Sequence, residues 1–465
     1  MLRIRSPVAA KLILGAFAFL ILAVSITTRH PKWLTDFDQS VYISIAYDLD
    51  RHGVFSNGIL DRVDSIVTPP PAGMFIGPAY PLLVLAAMRA DARFDRAVAC
   101  AIEAYHRWHD GKTCEVYARP MLLLHAALLA LGVLAIACSA EMLLGNRAAF
   151  WLTGIFAIAG LLGEVQLFSF VMTEAPVFAL YSLTFALLLA GLKTSWRGWF
   201  TAAGCVLALL CLTRASYLVL APVTFGLIAI GRRFTGGAAK PQWNDALAFA
   251  VAFAVIFSPW IVRNGISVGK FAVSEEYGSA ALIERFAFNR MTAREFVLAF
   301  PYCVPTIGPP AVGHLFGDEA MDRFEWNKAG SFFHVGRATR LRLIETHQKL
   351  DPIIAEVTRN EMAQNWWRHL AVSLPLGWCG LWMSETWSLF LLPLFAAACV
   401  VAARRRDFLF LLFALPGLVM VGLHAVLANH YARYNIGLIG PYSIGGAWII
   451  VCALLPRLRS IWPAR

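Results

Sequence analysis

Apolar residues run along this chain in long blocks separated by short polar turns. The blocks cover residues 12–28, 120–143, 148–170, 172–192, 198–213, 217–230, 247–262, 388–402, 408–428 and 436–455. Crossing the hydrocarbon core takes roughly 20 mostly apolar residues in a helix. Each block therefore predicts a transmembrane helix. Residues 370–384 are apolar too, but Pro375 and Gly377 interrupt them, so they read as an interfacial or re-entrant segment. The expected fold class is all-α: a polytopic membrane protein of about ten transmembrane helices with two large outer loops bearing amphipathic interfacial helices. The organisation that follows is a first transmembrane helix (1–28), a first outer loop (29–119) and transmembrane helices two to seven (120–262). A second outer loop (263–387) and transmembrane helices eight to ten with a cytoplasmic tail (388–465) complete it.

Composition agrees. The 465 residues are 59% hydrophobic and 15% charged. A soluble domain is about 45–50% apolar and about 25% charged, so a soluble globular protein, a disordered chain and a small disulfide scaffold are all excluded. The net charge of +11 would suit a nucleic-acid binder, but its distribution points elsewhere. Fifteen Lys and Arg sit in the tails and in the short turns at 147, 193–197, 232–240 and 404–406, against the three acids Glu141, Asp245 and Asp407. Within the two long loops, residues 29–119 and 263–368 hold 23 basic and 23 acidic residues. The positive-inside rule makes the short basic turns and both termini cytoplasmic and the long loops extracytoplasmic, in a multi-pass plasma (inner) membrane protein. The excess charge is a topology signal, and no nucleic-acid partner is expected. No small-residue cleavage site follows the first block near Ile26–Thr28, so it reads as an uncleaved span.

Five of the nine cysteines (Cys138, Cys205, Cys211, Cys399, Cys452) lie in apolar blocks. Cys100 and Cys114 share the first outer loop, where a disulfide is compatible with an oxidising compartment. Cys303 and Cys379 have no evident partner. There is no CxxC, HExxH or close His/Cys cluster of the zinc-binding kind.

The polar chemistry gathers at the outer edges of the spans. Asp36 and Asp38 open the first loop, ahead of a helix over 38–50 whose Val41, Ile45 and Leu49 form one stripe. Such a helix could lie on the membrane surface and hold the acids at the lipid boundary; an Asp pair also suits a helix cap. Glu174, in Thr173-Glu174-Ala175-Pro176, stands where the fourth span begins. An acid at membrane depth points to function, and it also suits the positive end of a helix dipole. Arg214, Arg263 and Arg433 stand at outer span ends. Arg binds phosphate with two parallel hydrogen bonds, and it also reaches from apolar surfaces to lipid headgroups.

Several weak motifs occur in one order with matching topology. They are Asp36/Asp38 with Tyr42 and Ala46, Gly77-Pro78-Ala79-Tyr80-Pro81-Leu82, Thr173-Glu174-Ala175-Pro176 and Leu212-Thr213-Arg214. Then come Pro259-Trp260-Ile261-Val262-Arg263-Asn264 with Gly269-Lys270-Phe271, and Arg433-Tyr434. In these the chain resembles the GT-C superfamily of multi-span glycosyltransferases, in the branch of protein mannosyltransferases and bacterial aminoarabinose transferases. It departs from them at 302–359, which matches none of their motifs, in lacking a large C-terminal soluble domain, and in reading Asp-Phe-Asp where the protein mannosyltransferases carry adjacent acids. The acceptor class therefore stays open.

The resemblance implies transfer of a monosaccharide from a polyprenyl-phosphate donor to a cell-envelope acceptor (lipid, polysaccharide or protein) on the extracytoplasmic face, with inversion. It implies Asp36 as the general base, with Asp38 second. Glu174 would position the base, bind the acceptor or help hold a divalent cation. Arg433, Arg263 and Arg214 would meet the donor phosphate, and Tyr42, Tyr80, His430 and Tyr434 would line the cavity. No cofactor beyond that cation is implied. Two alternatives are an O-antigen ligase or polymerase-like enzyme and a lipid-linked sugar transporter. A transporter calls for mid-membrane polar residues and paired repeats, whereas the polar residues here sit at the outer edge.

Overall fold

The computed structural model describes residues 7–29, 33–62, 68–108, 114–194, 196–231, 243–275, 278–346, 350–428 and 432–454. His430 and the basic residues at 3–5, 232–240 and 457–465 lie outside them. No strand occurs among the described residues. After α1 (Pro7–Thr27), the first loop folds as α2 (Gln39–His52), α3 (Ala79–Ala90) and α4 (Ala92–Trp108). Next come α5 (Arg119–Leu144), α6 (Arg147–Gly163), the single turn α7 (Val165–Phe168), α8 (Glu174–Thr194), α9 (Arg197–Thr213), α10 (Leu220–Gly231) and α11 (Trp243–Ser267). The second loop carries α12 (Gly278–Phe286), α13 (Ala293–Tyr302), α14 (Gly308–Phe316), α15 (Phe332–Thr346) and α16 (Leu350–Leu381). The chain continues through α17 (Thr386–Arg405), α18 (Phe408–Leu427) and α19 (Ile439–Ile449).

Seven helices among the described residues are long and apolar enough to cross a membrane: α1, α5, α8, α11, α17, α18 and the stretch Arg433–Cys452 built around α19. The protein is an all-helical, polytopic membrane protein. Three further expected spans form shorter apolar helices, Arg147–Gly163, Arg197–Thr213 and Ala215–Gly231. At 1.5 Å per residue, 17 residues reach about 25 Å, less than the ~30 Å hydrocarbon core. The backbone explains two of these breaks. The block over 148–170 turns at Glu164, which sits at a helix end. The helix α9 stops because Arg214 takes an extended conformation, φ −149° and ψ 113°. The interrupted block at 370–384 forms the last part of α16, which kinks at Asn365.

The chain divides into two compact units. The first comprises Met1–Glu275, Ala397–Phe413 and Ser443–Arg465. Within it α1 packs on α5 and α6, α5 on α8, α8 on α9, and α9 on α11. Contacts this close between helices need small residues: a Cβ at Gly204 would fall 2.3 Å from the Phe249 carbonyl oxygen. In the first loop α2 packs against α3, α4 and the 3-10 turn Gly58–Arg62. Beside Val41 and Ile45, the side chains of Tyr42, Ile43 and Ala46 are buried as well. This helix therefore has no wide open face. It is held inside the loop's own fold. Its polar residues are satisfied there: Ser44 accepts a hydrogen bond from Ile59 N at 2.9 Å, and Asp48 accepts one from Ser56.

The second unit comprises Glu276–Ala396 and Ala414–Tyr442. Its core joins Phe288, Met291, Ala299, Phe332, Val372, Leu376 and Ala425.

Disulfides join Cys100 to Cys114 in the first unit and Cys303 to Cys379 in the second. The second pairing corrects the expectation that these two had no partner. They are 76 residues apart in sequence, and the packing of α13 on α16 brings them together. Non-reducing mass spectrometry is expected to show four of the nine cysteines blocked to maleimide until a reductant is added. Labelling of Cys303 without reduction would contradict the pairing.

Candidate active site

The site begins in a turn just after α1. Asp36 Oδ2 accepts a hydrogen bond from Trp33 N at 3.0 Å, which folds residues 33–36 back on themselves. Phe37 follows with φ 55°, a left-handed conformation that a bulky residue rarely adopts. Its largely exposed ring meets Phe170 edge-on at 5.1 Å. Asp38 occupies the N-cap position of α2 but makes no capping hydrogen bond with its side chain. Gln39, fully buried, clasps the turn in place. Its amide nitrogen donates to the Trp33 carbonyl at 2.8 Å, and its amide oxygen accepts from Val171 N at 3.1 Å. The acid-bearing turn is thus fastened to the 170–173 turn that leads into α8.

Glu174 opens α8 at 1% exposure. Its Oε1 lies 3.6 Å from Nη2 of Arg214, itself 9% exposed. The ion pair joins the start of α8 to the end of α9. Onto the same end packs the Gly77-Pro78 turn, where a Cβ at Gly77 would fall 2.1 Å from the Leu212 carbonyl oxygen. Gly77→Ala is therefore expected to destabilise the protein by about 1–3 kcal/mol, the usual cost of overpacking. A thermal shift in detergent measures it, and an unchanged midpoint would remove the close approach from the account.

Tyr80 follows on α3 and is fully buried, with its ring edge-on to Tyr42 at 5.0 Å. Its hydroxyl lies 2.9 Å from His125 Nε2, and His125 Nδ1 lies 3.0 Å from the Phe168 carbonyl. A carbonyl only accepts, so Nδ1 carries the proton and Nε2 accepts from Tyr80. Burial, then the neighbouring Tyr42 and Glu174, push the Tyr80 phenol well above its ordinary pKa, so it stays a neutral donor.

Arg263 plays a different part. Its guanidinium donates to the Gly73 carbonyl and, at 2.8 Å, to the Phe55 carbonyl, and lies 4.9 Å from the Trp260 ring centre. Trp260 Nε1 donates to Val273 O at 2.7 Å and Asn264 Nδ2 to Ala272 O at 2.8 Å. The Trp260–Asn264 motif is a clamp on the 55–75 and 268–275 segments.

No family model matches the chain, and no curated protein matches it. Among solved structures it is similar to the archaeal oligosaccharyltransferase AglB from Archaeoglobus fulgidus, solved in complex with an inhibitory peptide and a dolichol-phosphate. That match has 12% identity and a TM-score of 0.43, over 97% of this chain and 52% of that one. The chain thus spans about half the length of that protein. It is also similar to ArnT from Cupriavidus metallidurans. The structure bound to undecaprenyl phosphate matches at 14% identity and TM-score 0.40, the apo structure at 16% and 0.39, each over 95% of this chain and 78% of that one.

In the second unit, the Arg433 guanidinium lies 5.3 Å from the Tyr434 ring centre, and Tyr434 packs against His424 at 5.0 Å. Among the described residues no three of His, Cys, Asp and Glu gather as a ligand set, and Glu174 faces a cation already.

Sequence reasoning missed Gln39 and His125. Gln39 gave no signal beyond adjoining Asp38. His125 did: a histidine inside an apolar span is expensive enough to mark a built contact.

Proposed function

We propose that the chain is an integral membrane glycosyltransferase that moves a monosaccharide from a polyprenyl-phosphate donor to a cell-envelope acceptor on the extracytoplasmic face. The observation that carries this is the Gln39 clasp, which fastens the Asp36 turn to the turn preceding the buried Glu174–Arg214 pair. A carboxylate with a fixed orientation stands in the outer loop, tied to the end of a membrane-spanning helix.

The chemistry suits those residues. Asp36 accepts the proton of the acceptor hydroxyl as its oxygen attacks the anomeric carbon. The bond from that carbon to the phosphate oxygen breaks, and polyprenyl phosphate leaves as a stable anion that needs no general acid. One displacement inverts the anomeric configuration. In the second unit, Arg433 is the candidate contact for a prenyl phosphate. Arg214 holds Glu174 at the acceptor side, Asp38 supports the base, and Tyr42 and Tyr80 line the cavity. Arg263 orders the loop through its carbonyl contacts.

The test is incubation of membranes containing the protein with a panel of labelled prenyl-phosphate sugars. Transfer from at least one donor to lipid, polysaccharide or protein is expected, with inverted configuration in the product. Donor-independent lipid movement without transfer from any sugar would replace this reading with transport.

A further inference from the structure

Arg285 is the largest fully buried side chain among the described residues, at 0% exposure in α12, and the reaction above makes no use of it. Its partners are neutral acceptors. Nε donates to the Ala425 carbonyl at 2.8 Å and Nη1 to Asn289 Oδ1 at 3.1 Å, while Nη2 donates to the His369 carbonyl at 3.1 Å and Ser373 Oγ at 3.0 Å. His369 Nε2 lies 2.9 Å from the next carbonyl, that of Val426. Burial pushes the Arg285 guanidinium down to about 9.

A buried guanidinium paired only with dipoles is a costly way to fill space. Apolar residues of similar volume are often as stable or more so. What the guanidinium provides is direction: a planar fork ties elements together at fixed angles. Here it ties α12 and α16 to the last turn of α18, whose carbonyls carry the negative end of the helix dipole.

That same turn touches the segment bearing Arg433. His424, next to Ala425, lies with Nδ1 3.2 Å from Asn435 Oδ1 and its ring against Tyr434. Asn435 Nδ2 in turn donates to the Gly380 carbonyl at 3.0 Å.

We propose that Arg285 is a positioning residue for the donor phosphate: by clamping the last-turn carbonyls of α18 it sets where the Arg433 segment stands. The proposal rests on the reading of Arg433 as the phosphate partner. Arg285→Lys keeps the charge and loses the fork.

The test uses the full chain in nanodiscs, with undecaprenyl phosphate and undecaprenol as probes. Arg285→Lys is expected to weaken undecaprenyl phosphate binding about tenfold and to leave undecaprenol binding unchanged, a split that general loss of stability does not produce. Arg290→Ala, an exposed neighbour, leaves both unchanged. The double variant Arg285→Lys/Arg433→Lys binds no more weakly than Arg433→Lys alone, because one residue acts through the other. Should Arg285→Lys fail to fold, Ser373→Ala removes one of the guanidinium's acceptors, together with the Ser373 bond to the His369 carbonyl, and is expected to weaken phosphate binding about two- to threefold. Additive losses in the double variant, or a lowered melting temperature with unchanged phosphate affinity, overturn the proposal. If wild type binds undecaprenyl phosphate no better than undecaprenol, or Arg433→Lys changes nothing, the Arg433 reading falls and this inference with it. If Arg433→Lys weakens binding and Arg285→Lys does not, this inference alone falls.

Discussion

Asp36→Asn is expected to cut transfer by about 10²–10⁴-fold, the usual contribution of a positioned general base, without unfolding the protein. The amide oxygen of Asn can still accept the Trp33 N–H that Asp36 accepts at 3.0 Å, so the turn keeps its shape. What disappears is the ability to take a proton. The loss should fall on kcat, with the donor KM little changed, because the proposed role of Asp36 is proton transfer and not donor binding. Initial rates at saturating donor measure it, beside the melting temperature. Asp38→Asn is the comparison and should cost less. If Asp36→Asn keeps its full rate while Asp38→Asn loses it, the base is Asp38 and the roles exchange.

Arg214→Met should carry the largest stability effect. Its partner Glu174 has a side chain only 2% exposed, and the Arg214 side chain is 11% exposed. Removing one member of a buried ion pair leaves the other charge with poor solvation, at a cost of about 3–5 kcal/mol. The double variant Glu174→Gln/Arg214→Met removes both charges and should recover most of that loss. Transfer should not recover with it if Glu174 serves the acceptor side as proposed. A thermal-shift series together with transfer rates separates the two quantities. If the double variant regains stability and activity together, the pair is only a structural tie between α8 and α9.

Several features of the fold were legible in the sequence. Seven of the ten apolar blocks became helices long enough to cross a membrane, and the first-loop cysteines paired as allowed. Glu174 opens α8, and a helix begins at Gln39 beside the acids. The three helices too short to span were less so. Apolar composition continues past Glu164 and past Arg214, so where the backbone turned could not be read from hydropathy. Arg263 shows the limit for side chains. As a sequence position it suits a phosphate, but its neighbours turn its donors to the carbonyls of Phe55 and Gly73.

The sequence by itself determined that this is a helical membrane protein, where its helices lie and where its polar chemistry concentrates. Those properties come from transfer free energies and backbone hydrogen bonding, which add up locally along the chain. Only the tertiary structure decided which polar groups meet. The Gln39 amide finds Val171 across 132 residues, Cys303 finds Cys379 across 76, and Arg285 finds the end of α18 across 140. A hydrogen bond or a disulfide depends on direction and on a few tenths of an ångström. That information is created when helices pack, and no local pattern of apolar and polar residues carries it.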